Sequence, residues 1–163
     1  ELDFAASLTE RVALLENLAS NVLDEVSSQV TLTSGATELI QAIQESGHVA
    51  AVVSGGFIEV ITPLMNKLSI ADYLANSFEI ENGYLTGKVL GKIIDRSAKA
   101  EFLSELRAKY GAEQTFAVGD GANDIDMVKA ADIGIAFCAK PALQAVADIV
   151  ITERDLRQLL QYL

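Results

Sequence analysis

Residues 115–118, Thr-Phe-Ala-Val, read as a strand that stops at Gly119-Asp-Gly-Ala-Asn-Asp124, where a helix begins at once. β-branched, aromatic and small residues suit a buried parallel strand, the two glycines permit a tight turn, and Asn123 or Asp124 can cap the helix. No other segment restricts the fold as strongly: a strand that turns directly into a helix implies an α/β architecture, whose ligands sit at the strand ends. Asp120 and Asp124 are four residues apart. If the helix starts near Ala122, their carboxylates project toward one mouth, which would suit a hard cation. A plain glycine turn with capping acids is the competing reading of a bare Gly-Asp-Gly. The full six-residue element is far less generic.

The rest of the chain agrees with that start. Leu2, Phe4, Leu8, Val12, Leu15 and Leu18 recur at helical spacing, and a second helical stretch covers 20–29. Helical residues resume over 36–46 and stop at Gly47. Val49 to Val53 reads as a short strand ending in Ser54-Gly55-Gly56, followed by a helix over 57–67 with Pro63 inside it. Residues 76–91 alternate around Asn82-Gly83, a strong hairpin signal. A helix over 97–110 follows, and then strand and helix alternate to the end, with Pro141 in a first helical turn. Such alternation predicts a parallel sheet with covering helices. The N-terminal helices have no strand between them, so 1–30 reads as part of a helical cap and 31–163 as an α/β core carrying a β-hairpin insertion.

Chain length and charge remove several functions. The 163 residues suffice for one main domain, and no apolar run approaches bilayer length. A net charge of −11 repels nucleic-acid phosphates, so any anion bound here needs local donors or a metal. The single Cys138 reads as a small buried hydrophobe in a reducing compartment. Ser54-Gly55-Gly56 offers main-chain N–H groups and a hydroxyl to an oxyanion, against the plainer reading of a glycine-rich turn. Lys99 falls in the first turn of its helix, where a cation opposes the helix dipole; a bound anion nearby would reverse the sign of that effect. Arg11 reads either as a surface charge paired with Glu10 or Glu16, or as a clamp on a carboxylate.

Ser54-Gly55-Gly56, Lys99 and Gly119-Asp-Gly-Ala-Asn-Asp124, in that order, resemble the second, third and fourth motifs of the haloacid dehalogenase superfamily. Leu2-Asp-Phe4 with Ser7-Leu and Arg11-Val12, Leu85-Thr-Gly-Lys-Val-Leu-Gly91 with Ile94-Asp95, and Ala136-Phe-Cys-Ala-Lys-Pro141 resemble its phosphoserine phosphatase family. That resemblance spans Glu1 to Leu163. It implies Asp120 as a magnesium ligand, supported by Asp124, and Lys99 as the cation on the phosphoryl group. It implies Ser54, Gly55 and Asn123 as phosphate contacts, Arg11 on the substrate carboxylate and Phe4 walling the pocket. The implied reaction is hydrolysis of L-phosphoserine through an aspartyl-phosphate, the last step of serine synthesis, in the cytoplasm. No nucleic-acid or membrane partner is expected, and a homodimer is left open.

The family opens with Asp-x-Asp-x-Thr, which supplies nucleophile and acid/base, and this sequence contains none. The acid that follows that motif is absent too, and Ser34 stands where the family usually has proline. We therefore expect the chain to be part of a longer polypeptide and inactive alone, because the missing strand lies centrally, between those ending at Ser54 and Asp120. Competing readings are a non-catalytic phosphate- or partner-binding domain, and a phosphatase for another small phosphomonoester.

Overall fold

The computed structural model describes residues 4–163. Leu2 and Asp3, two residues of the resemblance, lie outside the described part. By packing, the chain forms two compact units: Glu1–Thr31 with Ala51–Asp95, and Leu32–Ala50 with Arg96–Leu163.

In unit 1, helices α1 (Phe4–Ala13) and α2 (Val22–Gln29) precede β1 (Ala51–Phe57), α4 (Ile58–Lys67) and the hairpin β2 (Asp72–Glu81) and β3 (Tyr84–Leu90). Helix α3 (Ala36–Glu45), which lies between α2 and β1 in the chain, belongs to unit 2. The sheet order is β1-β2-β3, with β1 and β2 parallel and β2 and β3 antiparallel. The predicted Asn82-Gly83 turn is present, with φ of 51° and 82°. Positive φ at both central residues is what a two-residue hairpin turn needs to match strand twist. The helical periodicity of α1 places Leu8 and Val12 on its inner face, where they meet Leu23 of α2 and Phe78 and Leu85 of the hairpin. The Phe57 and Phe78 rings stack at 3.7 Å.

Strand β1 departs from expectation. It does not end at Val53 but continues through Ser54-Gly55-Gly56 to Phe57, its pairing with β2 interrupted between Val53 and Phe57. The reason is that two glycines and a serine let the ladder skip residues without a side-chain clash, so the Ser-Gly-Gly element is a bulged strand segment and not a helix entry.

In unit 2, α3 comes first, followed by α5 (Arg96–Tyr110), β4 (Phe116–Gly119), a 3-10 turn (Ala122–Asp124), α6 (Ile125–Ala130), β5 (Ile133–Phe137), α7 (Pro141–Gln144), β6 (Ile149–Ile151) and a terminal 3-10 segment (Leu156–Tyr162). The sheet is parallel, ordered β4-β5-β6. Leu39 of α3, Ile135, Ile151 and Leu159 form its core.

Two burial expectations fail here. Strand β4 buries Ala117 but leaves Phe116 and Val118 each 39% exposed, because β4 is an edge strand that pairs only with β5. Cys138 is exposed rather than buried. It sits just past β5 at a positive φ of 46°, its Sγ donating to the Thr152 carbonyl at 3.5 Å. Among the described residues, no helix is long and apolar enough to cross a membrane.

Candidate active site

The loop after β4 is built around Asp124. Its carboxylate is 5% exposed and faces back under the turn, where Oδ2 accepts the backbone N–H groups of Asp120 (3.1 Å) and Gly121 (3.2 Å). Oδ1 accepts from Lys99 Nζ at 2.6 Å. Asp124 is therefore not a second open carboxylate beside Asp120, as the spacing alone suggested. One oxygen is taken by two amides and the other by a cation. The glycine at 119 is required by this packing, since a Cβ there would collide with the Asp124 side chain. Asp120 itself is exposed at the strand end, and Asn123 is exposed beside it.

Lys99 is 5% exposed, in the first turn of α5. Burying an ammonium at a helix N-terminus is unfavourable twice, through desolvation and through the helix dipole. The Asp124 carboxylate offsets both. An ammonium has three donors, and Asp124 uses one. Arg96, at the start of the same helix, pairs with Asp126 of α6 at 2.5 Å. That hydrogen bond is the chief cause of an Asp126 carboxyl held below its ordinary range.

Unit 1 holds the other predicted residues. Ser54 Oγ accepts the N–H of Gly56 at 2.9 Å. Asn76, on β2, donates from Nδ2 to the Gly55 carbonyl at 2.9 Å and accepts the Ile94 N–H on Oδ1 at 2.8 Å. The Phe4 ring lies over Gly55, 3.1 Å from where a Cβ would stand. Phe4, Ser54 and Gly55 are thus brought together. Arg11 is exposed on α1, its Nε donating to the Ser7 carbonyl one turn back.

Sequence reasoning missed Asn76. The available signal was an amide at the same strand phase as Phe78, on a face that β2 buries. Glu59 was missed as well: from the first turn of α4, its Oε1 accepts from Ser77 Oγ and the Phe78 N–H, which ties α4 to β2.

Among the described residues, no group of three or more His, Cys, Asp or Glu is placed to hold a metal. An exposed strand-end carboxylate at Asp120 does fit a hard cation in its donor chemistry, as one oxygen ligand of the six or more such an ion takes.

A family model for haloacid dehalogenase-like hydrolases matches residues 2–129. Phosphoserine phosphatase SerB2 of Mycobacterium tuberculosis is 51% identical over 91% of this chain, which covers 37% of that protein. Phosphoserine phosphatase of Idiomarina loihiensis is 47% identical over 98% of this chain and 74% of its own length. A solved substrate-bound phosphoserine phosphatase complex aligns with a TM-score of 0.93 at 43% identity, over 99% of this chain and 78% of its own. The chain belongs to the haloacid dehalogenase-like hydrolases and, within them, to the phosphoserine phosphatases.

Proposed function

We propose that this chain carries the phosphate grip and part of the metal site of an enzyme that hydrolyses L-phosphoserine to L-serine and phosphate. The observation that carries the reading is Lys99, buried and paired with Asp124 at 2.6 Å, in a loop whose remaining acid, Asp120, faces solvent. An ammonium held rigidly beside a strand end can donate to a phosphoryl oxygen without reorganising, which is how fixed charges stabilise developing charge. Asp124 serves this arrangement by positioning: it holds the Asp120 turn and orients the Lys99 amine.

Asp120 would ligate magnesium, and a bound cation would share the phosphate charge with Lys99. Asn123, next to Asp120, and the Ser54-Gly55 pair supply neutral hydrogen bonds to the substrate. Arg11 takes its carboxylate through a two-nitrogen fork, and Phe4 covers the Ser54-Gly55 segment. Against a net charge of −11, such local cations are what make binding of a doubly charged ester feasible. The sequence contains no Asp-x-Asp-x-Thr, so no group described here attacks phosphorus, and the chain by itself binds substrate without turning it over. We place the activity in the cytoplasm.

The test is a titration of the chain with L-phosphoserine and magnesium, followed by isothermal calorimetry, alongside an assay for released phosphate. Binding without release is expected. Arg11→Ala should weaken L-phosphoserine binding about tenfold or more, as expected for loss of a charged hydrogen-bonded pair, while leaving inorganic phosphate binding unchanged. Equal loss for both ligands would remove Arg11 from the carboxylate site, and a chain that binds neither would end the reading. Sedimentation of the same sample decides whether it forms a homodimer.

A further inference from the structure

Nothing in the resemblance assigns a role to Asn76, yet it is among the most buried polar side chains described, 1% exposed. A primary amide removed from water is costly unless its polar atoms are bonded. Here each end is used on a different segment. Oδ1 accepts the N–H of Ile94, beyond the hairpin, and Nδ2 donates to the carbonyl of Gly55 in the bulged part of β1.

The second bond has consequences along the chain. The Gly55 carbonyl and the Gly56 N–H belong to one planar peptide unit. Asn76 holds the oxygen of that unit, and Ser54 Oγ holds its N–H at 2.9 Å. The plane is thereby fixed at both ends, although it joins two glycines, the residues most able to let a peptide rotate. Because Oγ already accepts from Gly56, the Ser54 hydroxyl proton is restricted to the two remaining tetrahedral positions on that oxygen.

We propose that Asn76 is the positioning residue of the anion grip: by locking the Gly55–Gly56 peptide, it restricts the direction in which the Ser54 hydroxyl can donate. The proposal rests on the phosphate-binding reading of Ser54 given above. It also divides the donors. The Ser54 hydroxyl faces the anion, whereas the Gly56 N–H is spent inside the loop and is not a ligand contact.

Two substitutions separate positioning from simple stability. Asn76→Ala removes both bonds. Asn76→Asp keeps an acceptor for the Ile94 N–H but sets a carboxylate oxygen against the Gly55 carbonyl; because its buried negative charge would itself repel an anion, the affinity comparison rests on Asn76→Ala. Ile151→Val, in the unit 2 core and outside the cluster on which Phe4 and Phe57 pack, is the control that lowers stability alone.

Each variant is titrated with inorganic phosphate and with L-phosphoserine. The Gly56 amide proton is followed by NMR, and melting temperature is recorded. We expect Asn76→Ala to bind both ligands about tenfold more weakly, the size of a lost hydrogen bond to a charged group. The Gly56 amide should lose its hydrogen-bonded shift and exchange faster, while Ile151→Val melts earlier with unchanged affinity.

If wild type binds and Asn76→Ala binds equally well, the positioning role is overturned while the phosphate-binding reading stands. If affinity falls in Ile151→Val in step with melting temperature, the effect is stability and the role is again overturned. If wild type binds neither ligand, both the role and the reading beneath it fall.

Discussion

In unit 1 the residues assigned to the anion are fixed by bonds between uncharged groups, an amide to a carbonyl and an N–H to a hydroxyl. In unit 2 they are fixed by an ion pair in which both partners are 5% exposed. The two solutions fail differently. A neutral bond, once cut, costs little beyond itself, because the loop retains glycines that can readjust and is only half-buried. A buried ion pair, once cut, leaves a charge with no partner and no water, so removing one partner costs much more than the pair contributes.

Lys99→Ala should therefore produce the largest effect. It strands the Asp124 carboxylate with two backbone N–H groups and no cation. The loss expected is about 3–5 kcal/mol, read from urea denaturation. Lys99→Ala combined with Asp124→Asn should cost clearly less than the sum of the two, since the second change removes the charge stranded by the first. Additive losses would show that the pair is not coupled and would erase the contrast between the units.

Ser54→Ala makes the corresponding cut in unit 1. It deletes the acceptor of the Gly56 N–H at a half-buried site, and about 0.5–1.5 kcal/mol is expected by the same denaturation. A loss as large as that of Lys99→Ala would mean that the neutral network is as brittle as the ionic one.

The contrast also explains what could be read from the sequence. The unit 2 site was legible because its parts are close in the chain: Asp120 and Asp124 belong to one six-residue element, and strand-turn-helix chemistry fixes their neighbourhood. What spacing could not give was the direction of Asp124, which turns inward because Lys99, 25 residues earlier, competes for its carboxylate. In unit 1, Ser54 and Gly55 were visible but their lock was not. Asn76 lies 21 residues from Gly55, and its role depends on β2 pairing beside β1. Hydrogen bonds across strands leave no periodic trace in a sequence, whereas the apolar phases of α1 and of the hairpin do.

Acid should produce the smallest effect, and unit 2 should feel it first. Asp132 accepts both the N–H and the hydroxyl of Thr115, at 2.8 and 2.9 Å, and so fastens the entry to β4, the strand that ends at Asp120. Those bonds to Thr115, and then Arg107, hold the Asp132 carboxyl below its ordinary value of 3.8. Asp126 is lowered as well, chiefly by Arg96. Both groups bind fewer protons folded than unfolded near that pH. Their stabilisation is therefore fully present above 3.8 and lost as pH falls through the depressed folded values. Both carboxylates are more than a third exposed, so water and salt screen much of the ionic part. Hydrogen exchange between about pH 5 and about pH 3, corrected for the intrinsic rate, should show the Thr115 amide losing protection while the Gly56 amide keeps its own. Raising the salt to about 1 M should weaken the Arg96 contribution at Asp126 but leave the Thr115 bonds intact, because screening acts on charge pairs and hardly on a short neutral donor. If the Gly56 amide opened together with Thr115, acid would be melting the chain as one body and would reveal no difference between an ionic and a neutral site.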